Sequence, residues 1–425
     1  MDASSSFDTI VIGAGIMGSC AAYYLSKLSQ KALLLERFDL LHPLGSSHGH
    51  SRTTRTTYPE SFYPPLVSLA RSLFLDAQSE AGYTVLTPTP HLDMGPVSDL
   101  SFKSCIDNSS STEHVLLGKE SLKDKFSGAF DMPEDDGWVA LETPLGGVLH
   151  PTKSVAMFQS LAARHGVVVR DRTEVISIKK EAASGPVKVL TASGEVFYAK
   201  KVIITAGAWT RKLIGSVGGI ELPIEPVHNL ICYWKIREGL EEELAAAGGF
   251  PTFASYGDPY IYGTPCMEYP NLIKIAMHGG IPCDPDRRDW QVGSRAAASA
   301  NEPDANALVG PVAQWVSKFM PSHVDASNGP VMTQGCMYSM TPDGDFIIDF
   351  LGGEFGKDVL VAGGFSGHGF KMGPAVGKIL AELAVRGEAE VPDGVDMGMF
   401  SIVRFQSNPG GNVKEHAAQV SLHKT

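Results

Sequence analysis

The sequence predicts an α/β protein of two domains, in which a Rossmann-like domain with a parallel sheet is interleaved with a domain built on an antiparallel sheet. The chain has 425 residues, more than one hydrophobic core usually serves. Near the N-terminus a glycine-rich turn follows an apolar strand and opens a helix, as in parallel sheets of this type. Alternating segments rich in aromatic residues and proline separate the later apolar strands, which indicates a second sheet threaded through the first.

The first unit of the parallel sheet is a strand, a glycine-rich turn, a helix and a second strand. Apolar spacing predicts the strand, helix and strand over residues 7–12, 19–28 and 31–36, respectively. The turn reads GAGIMG from Gly13 to Gly18, the GxGxxG pattern. Gly13 allows the tight turn, Gly15 lets the backbone approach a pyrophosphate, and Gly18 lets helix and strand pack closely.

Glu36 ends the second strand 18 positions beyond Gly18, where an acidic side chain accepts hydrogen bonds from ribose hydroxyls. The pyrophosphate would lie at the helix N-terminus, whose free N–H groups attract anions. This context predicts a dinucleotide site, and a glycine-rich turn that binds nothing is the weaker alternative. The motif alone does not distinguish NAD from FAD, and we take FAD.

Later segments complete the two domains. Strands of the parallel sheet are predicted at residues 167–170, 201–207 and 358–364, and a helix at 374–385. Residues 229–235 and 272–276 alternate as antiparallel strands do. We therefore predict an FAD-binding domain formed by residues 1–90, 150–222 and 337–400, a substrate domain formed by 91–149 and 223–336, and a surface-lying C-terminal tail, 401–425.

Composition excludes several classes of protein. The formal net charge of -12, without a dense run of Lys or Arg, argues against binding nucleic acid or an anionic membrane. No stretch reaches the ~20 apolar residues of a membrane helix, and the first seven residues do not resemble a secretory signal. Six scattered cysteines lack the spacing of metal ligands, so we expect no metal and the reduced thiols of an intracellular protein. The last residues, His423-Lys424-Thr425, are not the Ser-Lys-Leu type of peroxisomal signal, which leaves the cytoplasm as an alternative location.

Two loops of small residues carry cations that would meet a planar ligand. Residues 45–55 include Arg52 and Arg55, whose guanidinium groups attract a carboxylate or a reduced flavin. A solvated basic loop is an equally common structure for such a segment. Residues 363–371 follow a parallel strand, the end at which open sheets bind ligands. Four glycines around His368 and Lys371 favour a functional loop there.

Four further side chains have simpler alternative explanations. Lys274 and His278 share one face of a strand by the two-residue period, which suggests a cavity lining rather than the outer face of an edge strand. Tyr262 would reach the same region, although an aromatic side chain there is more often part of the core. Cys336, taken alone, is most simply a buried free thiol.

Taken together, these segments resemble the monomeric sarcosine oxidase family, most closely its plant-type sarcosine/L-pipecolate oxidases. Six pieces carry the resemblance, keep the family order and span nearly the whole chain: GAGIMGS from Gly13, GSSHGHSRTTRTTYPE from Gly45, FPTFASYGDPYIYGTP from Phe250, IKIAMHGG from Ile273, CMYSMTPDGDFIIDF from Cys336 and GGFSGHGFKMGPAVG from Gly363. The resemblance implies an FAD-binding domain of the glutathione-reductase/D-amino-acid-oxidase type.

The resemblance also implies a role for individual residues. Cys336 would form a covalent thioether to FAD, Arg52 would lie beside the flavin ring, and Lys274 would promote the reaction of reduced flavin with O2. Arg55 and Lys371 would clamp the substrate carboxylate. The side chains implied to line the substrate cavity are His278, Tyr262 and Tyr338. The residues expected to bind the cofactor are Gly13, Gly15, Ile16, Met17, Gly18, Glu36, Arg37, Ser46, Ser47, His48, Arg52, Val175, Cys336, Gly364, Gly367, His368, Gly369, Phe370 and Lys371.

The predicted activity is an FAD-dependent oxidation of the C–N bond of a small secondary amino acid, which gives an imine and H2O2. L-Pipecolate is the first expected substrate and sarcosine the second. An oxidase of a bulkier secondary or N-methyl amine, such as an alkaloid precursor, is the alternative, and a flavin-binding protein without turnover ranks below it. The expected partners are a small amine and O2, the expected state is a monomer, and the family resemblance implies the peroxisome.

Overall fold

The computed structural model describes residues 6–110, 112–134, 137–182, 184–218, 221–287 and 305–412. Its helices are α1 (Ile16–Lys27), α2 (Tyr63–Ala81), α3 (Leu100–Asn108), α4 (Lys119–Lys125), α5 (Pro151–Arg164), α6 (Thr210–Gly218), α7 (Ala305–Phe319), α8 (Gly373–Arg386) and α9 (Arg404–Ser407). Its strands are β1 (Ser6–Ile12), β2 (Ala32–Leu35), β3 (Arg52–Thr54), β4 (Leu86–Pro96), β5 (Val115–Leu117), β6 (Trp138–Leu149), β7 (Val168–Arg170), β8 (Val175–Lys180), β9 (Val187–Thr191), β10 (Val196–Ile204), β11 (Glu225–Ile236), β12 (Thr252–Ser255), β13 (Ile261–Tyr269), β14 (Leu272–Met277), β15 (Ile281–Pro282), β16 (Val324–Asp325), β17 (Met332–Met340), β18 (Ile347–Phe350) and β19 (Val359–Gly363).

The first sheet is parallel at its centre and has the order β18-β19-β10-β1-β2-β7. Strand β1 pairs in parallel with β10 and β2, while β9 joins β10 as an antiparallel neighbour and β8 joins β9. Both faces are covered, because Val11 packs among residues of α1, α2, α5 and α8 while Ile10 and Ile12 pack in a second core on the opposite face. Burial on both faces explains why these strands read as continuous apolar runs.

The second sheet has the order β15-β11-β14-β13-β12-β4-β6-β3, with β16 and β17 also paired to β11 and β5 paired to β6. Its neighbours are antiparallel except for β12 and β4, which run parallel. Helix α7 covers one face, where the rings of Phe253 and Trp315 stack at 5.7 Å. The two sheets together form the α/β architecture that the sequence predicts.

Several boundaries differ from those expected from the sequence. Helix α1 begins at Ile16 rather than residue 19, because Gly15 is extended and caps it. Strand β10 ends at Ile204, since Gly207 has a φ of +55° and opens a short 3₁₀ turn. Strand β17 runs through the boundary placed between residues 336 and 337, because residues 332–340 pair continuously with β11.

The segment that follows α8 is anchored more firmly than a surface-lying tail would be. The Arg404 guanidinium donates to both carboxylate oxygens of Asp343, at 2.7 and 3.2 Å. Asn412 is 5% exposed and donates to Asp345 at 2.7 Å. Residues 401–412 are therefore tied to the folded body by these contacts, and residues 413–425 lie outside the described residues. Among the described helices, none combines the length and apolar character needed to cross a membrane.

Candidate active site

The glycine turn after β1 is packed too closely to admit side chains at two positions. Gly13 has a φ of +101°, and a Cβ there would lie 2.5 Å from the Thr205 carbonyl oxygen. A Cβ at Gly18 would overlap the Gly13 carbonyl oxygen. Gly15 caps α1 in an extended conformation, and the next N–H, of Ile16, donates to Ser47 Oγ at 3.1 Å. The turn thus exposes backbone at the N-terminus of α1, as a pyrophosphate site requires.

A cavity of about 380 Å³, here named the cofactor cavity, runs from this turn to Cys336. Most of the residues expected to bind the cofactor line it: Gly13, Gly15, Ile16, Met17, Glu36, Arg37, Ser46, Ser47, Arg52, Val175, Cys336, Gly367, Gly369 and Phe370. Gly18 instead packs α1 against the sheet, and Gly364 packs against the Thr341 side chain. His48 lines neither this cavity nor the second one described below, and its ring lies 3.1 Å from Gln334 Nε2.

Glu36 lies at the end of the cofactor cavity next to the glycine turn. Its carboxylate accepts from the N–H groups of Ala14 at 2.8 Å and Phe38 at 3.1 Å. Burial favours the neutral acid, but His42 at 3.4 Å and these N–H groups outweigh it and hold the pKa of Glu36 below its usual range. The side chain is therefore an ionised acceptor, the state in which it can bind ribose hydroxyls.

Arg37 and Val175 lie beside this end of the cavity. The Arg37 guanidinium pairs with Asp286 at 2.8 Å and with Glu174 at 3.1 Å, and it packs over the ring of Trp209. Asp286 comes from the chain after β15, so a segment that follows a strand of the second sheet contributes to the rim of the cofactor cavity. The shape of the cavity, its glycine cradle and its acidic end fit an elongated dinucleotide such as FAD.

A second cavity of about 390 Å³, here named the reaction cavity, adjoins the first. The residues that line both are Arg52, Cys336, Tyr338, Gly367 and Phe370. All seven side chains expected at the reaction centre line the reaction cavity: Arg52, Arg55, Tyr262, Lys274, His278, Tyr338 and Lys371. Side chains from β3, β13, β14, β17 and the loop after β19 thus meet at one place.

Arg52 and Cys336 form the wall between the two cavities. Arg52 is fixed by its own loop, because its guanidinium donates to the carbonyl oxygens of Ser46, His48 and Ser51 at 2.8–3.0 Å. Its Nη2 lies 3.6 Å from Cys336 Sγ, and Cys336 is 4% exposed. The Arg52 guanidinium is thus in contact with a buried thiol at the wall that the two cavities share.

Lys274 lies deeper in the same wall and is 3% exposed. Its Nζ donates to the Ser51 carbonyl at 3.0 Å and to Ser51 Oγ at 2.8 Å, and Glu268 Oε1 lies 3.9 Å away. Burial lowers the pKa of Lys274 to about 8, with Glu268 raising it and Arg52 lowering it further. Lys274 is therefore a cation at neutral pH that is close to losing its proton.

Two cations face the opposite side of the reaction cavity. Arg55 donates to Tyr260 Oη at 2.9 Å and Tyr256 Oη at 3.2 Å, and its Nη1 lies 3.5 Å from Asp93 Oδ1. Lys371 Nζ donates to Tyr58 Oη at 2.7 Å. Burial, reinforced by the charge of Arg55, holds the pKa of Lys371 well below its usual range.

The aromatic lining surrounds His278. Its ring packs against those of Tyr338 at 5.5 Å and Tyr260 at 5.6 Å. Burial and then the charges of Arg55 and Lys371 lower the pKa of His278 to about 4, so the imidazole is neutral at physiological pH. Tyr262 Oη lies 3.5 Å from Tyr338 Oη on the wall shared with Cys336.

His368 differs from the cofactor contact expected of it, since it lines the reaction cavity with Lys371 rather than the cofactor cavity. Its Nε2 is 3.0 Å from the Gly344 carbonyl and its Nδ1 is 3.2 Å from Tyr58 Oη. The carbonyl requires a proton on Nε2, so Nδ1 accepts from the tyrosine. His368 therefore orients Tyr58, which in turn accepts from Lys371.

Sequence reasoning missed the carboxylates that balance these cations. Asp93 is fully buried behind Arg55 and lies 3.1 Å from His91 Nε2, while His91 Nδ1 lies 2.8 Å from Thr252 Oγ1. Glu268 is buried beside Lys274. A charged residue within an otherwise apolar strand was the available signal for Asp93, in Leu92-Asp93-Met94.

Comparison with known proteins agrees with this geometry. Residues 8–383 match a family described as FAD dependent oxidoreductase. A probable sarcosine oxidase of Arabidopsis thaliana is 52% identical over 98% of this chain and 97% of its own length. A peroxisomal sarcosine oxidase of Homo sapiens is 35% identical, and a monomeric sarcosine oxidase of Bacillus sp. (strain NS-129) is 32% identical, each over 94% of this chain and 97% of its own.

Among solved structures, NikD, an unusual amino acid oxidase essential for nikkomycin biosynthesis, has a TM-score of 0.75 at 20% identity, over 93% of this chain and 97% of its own. That likeness shows the shared fold. Fold, glycine turn and family match together define a flavin-dependent oxidoreductase that binds FAD. The chain belongs to the monomeric sarcosine oxidase family, as the sequence predicts, and acts as a sarcosine oxidase-like amino acid oxidase.

Proposed function

We propose that this chain oxidises the C–N bond of a small secondary amino acid, with L-pipecolate as the first candidate and sarcosine as the second, and that it releases an imine and H2O2. The observation that carries the proposal is the pair of buried cations, Arg55 and Lys371, beside neutral His278 in the reaction cavity. When bound, FAD would accept a hydride from the amine and pass its electrons to O2. The names of the relatives support a small amino acid as substrate.

Arg55 and Lys371 would bind the substrate carboxylate and so fix the reacting C–H bond relative to the wall that the two cavities share. Fixing both partners removes most of the entropic cost of their meeting. His278 would accept a hydrogen bond from the amine nitrogen, because its ring is neutral. The rings of Tyr262 and Tyr338 would exclude water from the reacting bond.

Lys274 would act in the second half of the reaction, in which O2 is reduced. A buried ammonium stabilises the negative charge that develops on oxygen, and the low polarity around it strengthens the effect. Lys274 and Arg52 supply two cations on this side of the reaction cavity. The proposed order is therefore oxidation of the amine at the Arg55 side and reduction of O2 at the Lys274 side.

We further propose that FAD is attached covalently through Cys336. The contact of Cys336 with Arg52 supports this, since a thiolate would form the bond. Flavin that stays with the wild-type protein after acid precipitation, and is released from Cys336→Ala, is the expected result. Release of the flavin from both proteins would contradict a covalent bond.

One observation favours a second candidate substrate, a bulkier secondary or N-methyl amine without a carboxylate. Asp93 already pairs with Arg55, so the net charge of that side of the cavity is lower than two cations would give. A buried carboxylate would also favour a substrate that carries a positive charge. Against it, Lys371 has no carboxylate within ion-pair distance among the described residues.

The oligomeric state and the cellular location are proposed from the names of the relatives alone. The relative from Bacillus sp. is named a monomeric enzyme, which supports a monomer here. The human and mouse relatives are named peroxisomal, which supports the peroxisome as the location.

The deciding experiment is anaerobic mixing of the purified yellow protein with L-pipecolate and, separately, with sarcosine. Loss of the oxidised-flavin absorbance, reversed by air, is the expected result, and the two rates rank the substrates. If neither compound bleaches the flavin while an N-methyl amine without a carboxylate does, the second candidate replaces the first. Peroxide release after admission of air identifies O2 as the acceptor.

A further inference from the structure

We propose that Glu268 is a positioning residue for Lys274, and that its carboxylate keeps the buried Lys274 ammonium charged so that it can act on O2. The inference rests on the proposed function of Lys274. It adds a residue from β13 that lines neither cavity, and therefore touches neither the substrate nor the flavin. Its side chain contacts Lys274 directly and through Ser51.

The hydrogen bonds of Lys274 leave its charge without an anionic partner other than Glu268. Both acceptors of its Nζ, the Ser51 carbonyl and Ser51 Oγ, are neutral. Glu268 Oε1 lies 3.9 Å from Nζ, and it is the carboxylate that pairs with Lys274 among the described residues. The Ser51 hydroxyl accepts from Lys274 and donates to Glu268 Oε1, so it connects the two charges.

The fold brings Glu268 to this point by an irregularity in the sheet. Strands β13 and β14 pair regularly up to Thr264 opposite Lys274, but the next pair is Tyr269 opposite Leu272. The extra residues of β13 form a bulge, and Glu268 lies within it. Bulges redirect side chains next to functional sites.

A second donor holds the Glu268 carboxylate in place. Tyr233 Oη donates to Glu268 Oε2 at 2.6 Å, and Tyr233 lies opposite Lys274 in the register of β11 and β14. Glu268 is itself buried, which opposes its charge. Lys274, Ser51 and Tyr233 outweigh that effect and hold the pKa of Glu268 below its usual range, so it is an anion.

Among the charges around Lys274, Glu268 is the main one that favours the protonated ammonium. Arg52 on β3 lowers the pKa of Lys274, as burial does, while Glu268 on β13 and the Cys336 thiol on β17 raise it. If FAD is bonded to Cys336, that thiol can no longer carry charge, and Glu268 remains as the anion that opposes Arg52. Without Glu268, burial and Arg52 would lower the pKa of Lys274 unopposed. Lys274 would then be mostly neutral at physiological pH.

The test uses the flavin-loaded protein and needs no amine substrate. Flavin reduced with dithionite is mixed with O2 across pH 5.5–9.5 (roughly two pH units on either side of about pH 7.5). The reoxidation rate is recorded for the wild type, Glu268→Gln and Lys274→Met. The wild-type rate should fall as pH rises through about 8. In Glu268→Gln this fall should move down by about one and a half pH units, so that the rate at pH 7.5 drops about tenfold and recovers at low pH.

An equilibrium titration measures the charge state of Lys274 independently of the rate of flavin reoxidation. The absorbance of oxidised flavin is titrated over the same range, and the transition that disappears in Lys274→Met is assigned to Lys274. Its midpoint should fall in Glu268→Gln, fall less in Glu268→Asp, and stay unchanged in Glu142→Gln, where a buried glutamate that pairs with Lys125 loses the same charge elsewhere. If Glu268→Gln does not retain flavin, the midpoint measured in Glu268→Asp tests the inference in its place.

A Lys274 midpoint that stays the same or rises in both Glu268 variants overturns the role of Glu268. A uniform rate loss at every pH, with no shift of the midpoint, also overturns it, because that is the effect of structural damage. If Lys274→Met reoxidises as fast as the wild type, the proposed role of Lys274 fails together with this inference. Bleaching by L-pipecolate or sarcosine is unaffected by these outcomes and tests the substrate separately.

Discussion

The cofactor cavity and the reaction cavity have similar volumes, about 380 and 390 Å³, but they are built in different ways. The cofactor cavity begins at a continuous backbone turn, and its shape depends on space at Gly13, Gly15 and Gly18. The reaction cavity is made of side chains that carry opposite charges, brought from strands far apart in the chain. Changes to the first should therefore act through packing, and changes to the second through charge.

The largest expected effect is at Gly18, where a methyl group would overlap the Gly13 carbonyl oxygen. We expect Gly18→Ala to lose bound flavin and to lower the free energy of unfolding by about 3 kcal/mol, because backbone on both sides prevents relaxation. Flavin content per chain and thermal unfolding measure the two effects. The matched control is Gly215→Ala in α6, where nothing lies within 4 Å of the added carbon and helix propensity should add about 0.5 kcal/mol. Normal flavin content in Gly18→Ala would mean that the turn tolerates movement.

The second prediction compares the two cations of the reaction cavity. Arg55→Met and Lys371→Met should each raise KM for the amino acid by about tenfold or more, because each removes half of the carboxylate site. Their stabilities should differ. Arg55→Met leaves the buried Asp93 carboxylate without its guanidinium partner, with the His91 ring as its remaining partner, and should cost about 3 kcal/mol. Lys371→Met removes a buried amine whose pKa is already held down by burial, and it should cost little.

Urea unfolding of the two variants checks this difference, and a double variant sharpens it. Asp93→Asn added to Arg55→Met removes the carboxylate charge that Arg55 had balanced, and it should restore most of the stability without restoring KM. Equal stability losses in Arg55→Met and Lys371→Met would show that Asp93 does not depend on Arg55. An unchanged KM in both variants would contradict the carboxylate clamp.

The same contrast explains how much the sequence could predict. The glycine turn and its flanking strands are contiguous and follow local rules, so the parallel sheet and its ligand-binding end could be predicted from residues 7–36. Six of the seven side chains of the reaction centre stood out in their own segments, while the family resemblance added Tyr338 and supplied the role of each. Asp93 was missed because its cation, Arg55, lies in another segment of the chain. Glu268 was missed because it is joined to Lys274 through Ser51, which lies 217 positions away from it in the sequence. No local sequence pattern predicts the bulge in β13, so the contact between Ser51 and Glu268 could not be predicted from the sequence.

A smaller effect is expected from the neutral histidine. The pKa of His278 is about 4 in the folded protein, against 6.5 in an exposed chain, so the unfolded state binds more protons between these values. Stability should therefore rise with pH from about 4 to 6.5, and His278 should contribute on the order of 3 kcal/mol to that rise. His278→Gln should reduce the slope of unfolding free energy against pH in this window and leave it unchanged above pH 7. A slope equal to that of the wild type would show that His278 is not desolvated.

The smallest expected effect concerns Asp286, at the rim of the cofactor cavity. Its carboxylate accepts from Trp209 Nε1 at 2.7 Å and pairs with Arg37 and Lys212, which joins the segment after β15 to the rim. Its side chain is 35% exposed, and exposed ion pairs contribute about 0–1 kcal/mol each. Asp286→Asn should therefore change the Kd for FAD by less than about fivefold.

The measurement is made in a Cys336→Ala background so that binding is reversible. Asp284→Asn is the control, because Asp284 also pairs with Lys212 but does not line the cavity. A change of 100-fold or more (about 2.7 kcal/mol) in Asp286→Asn alone would mean that charge, and not only backbone packing, holds the cofactor, and the contrast between the two cavities would then not extend to the rim.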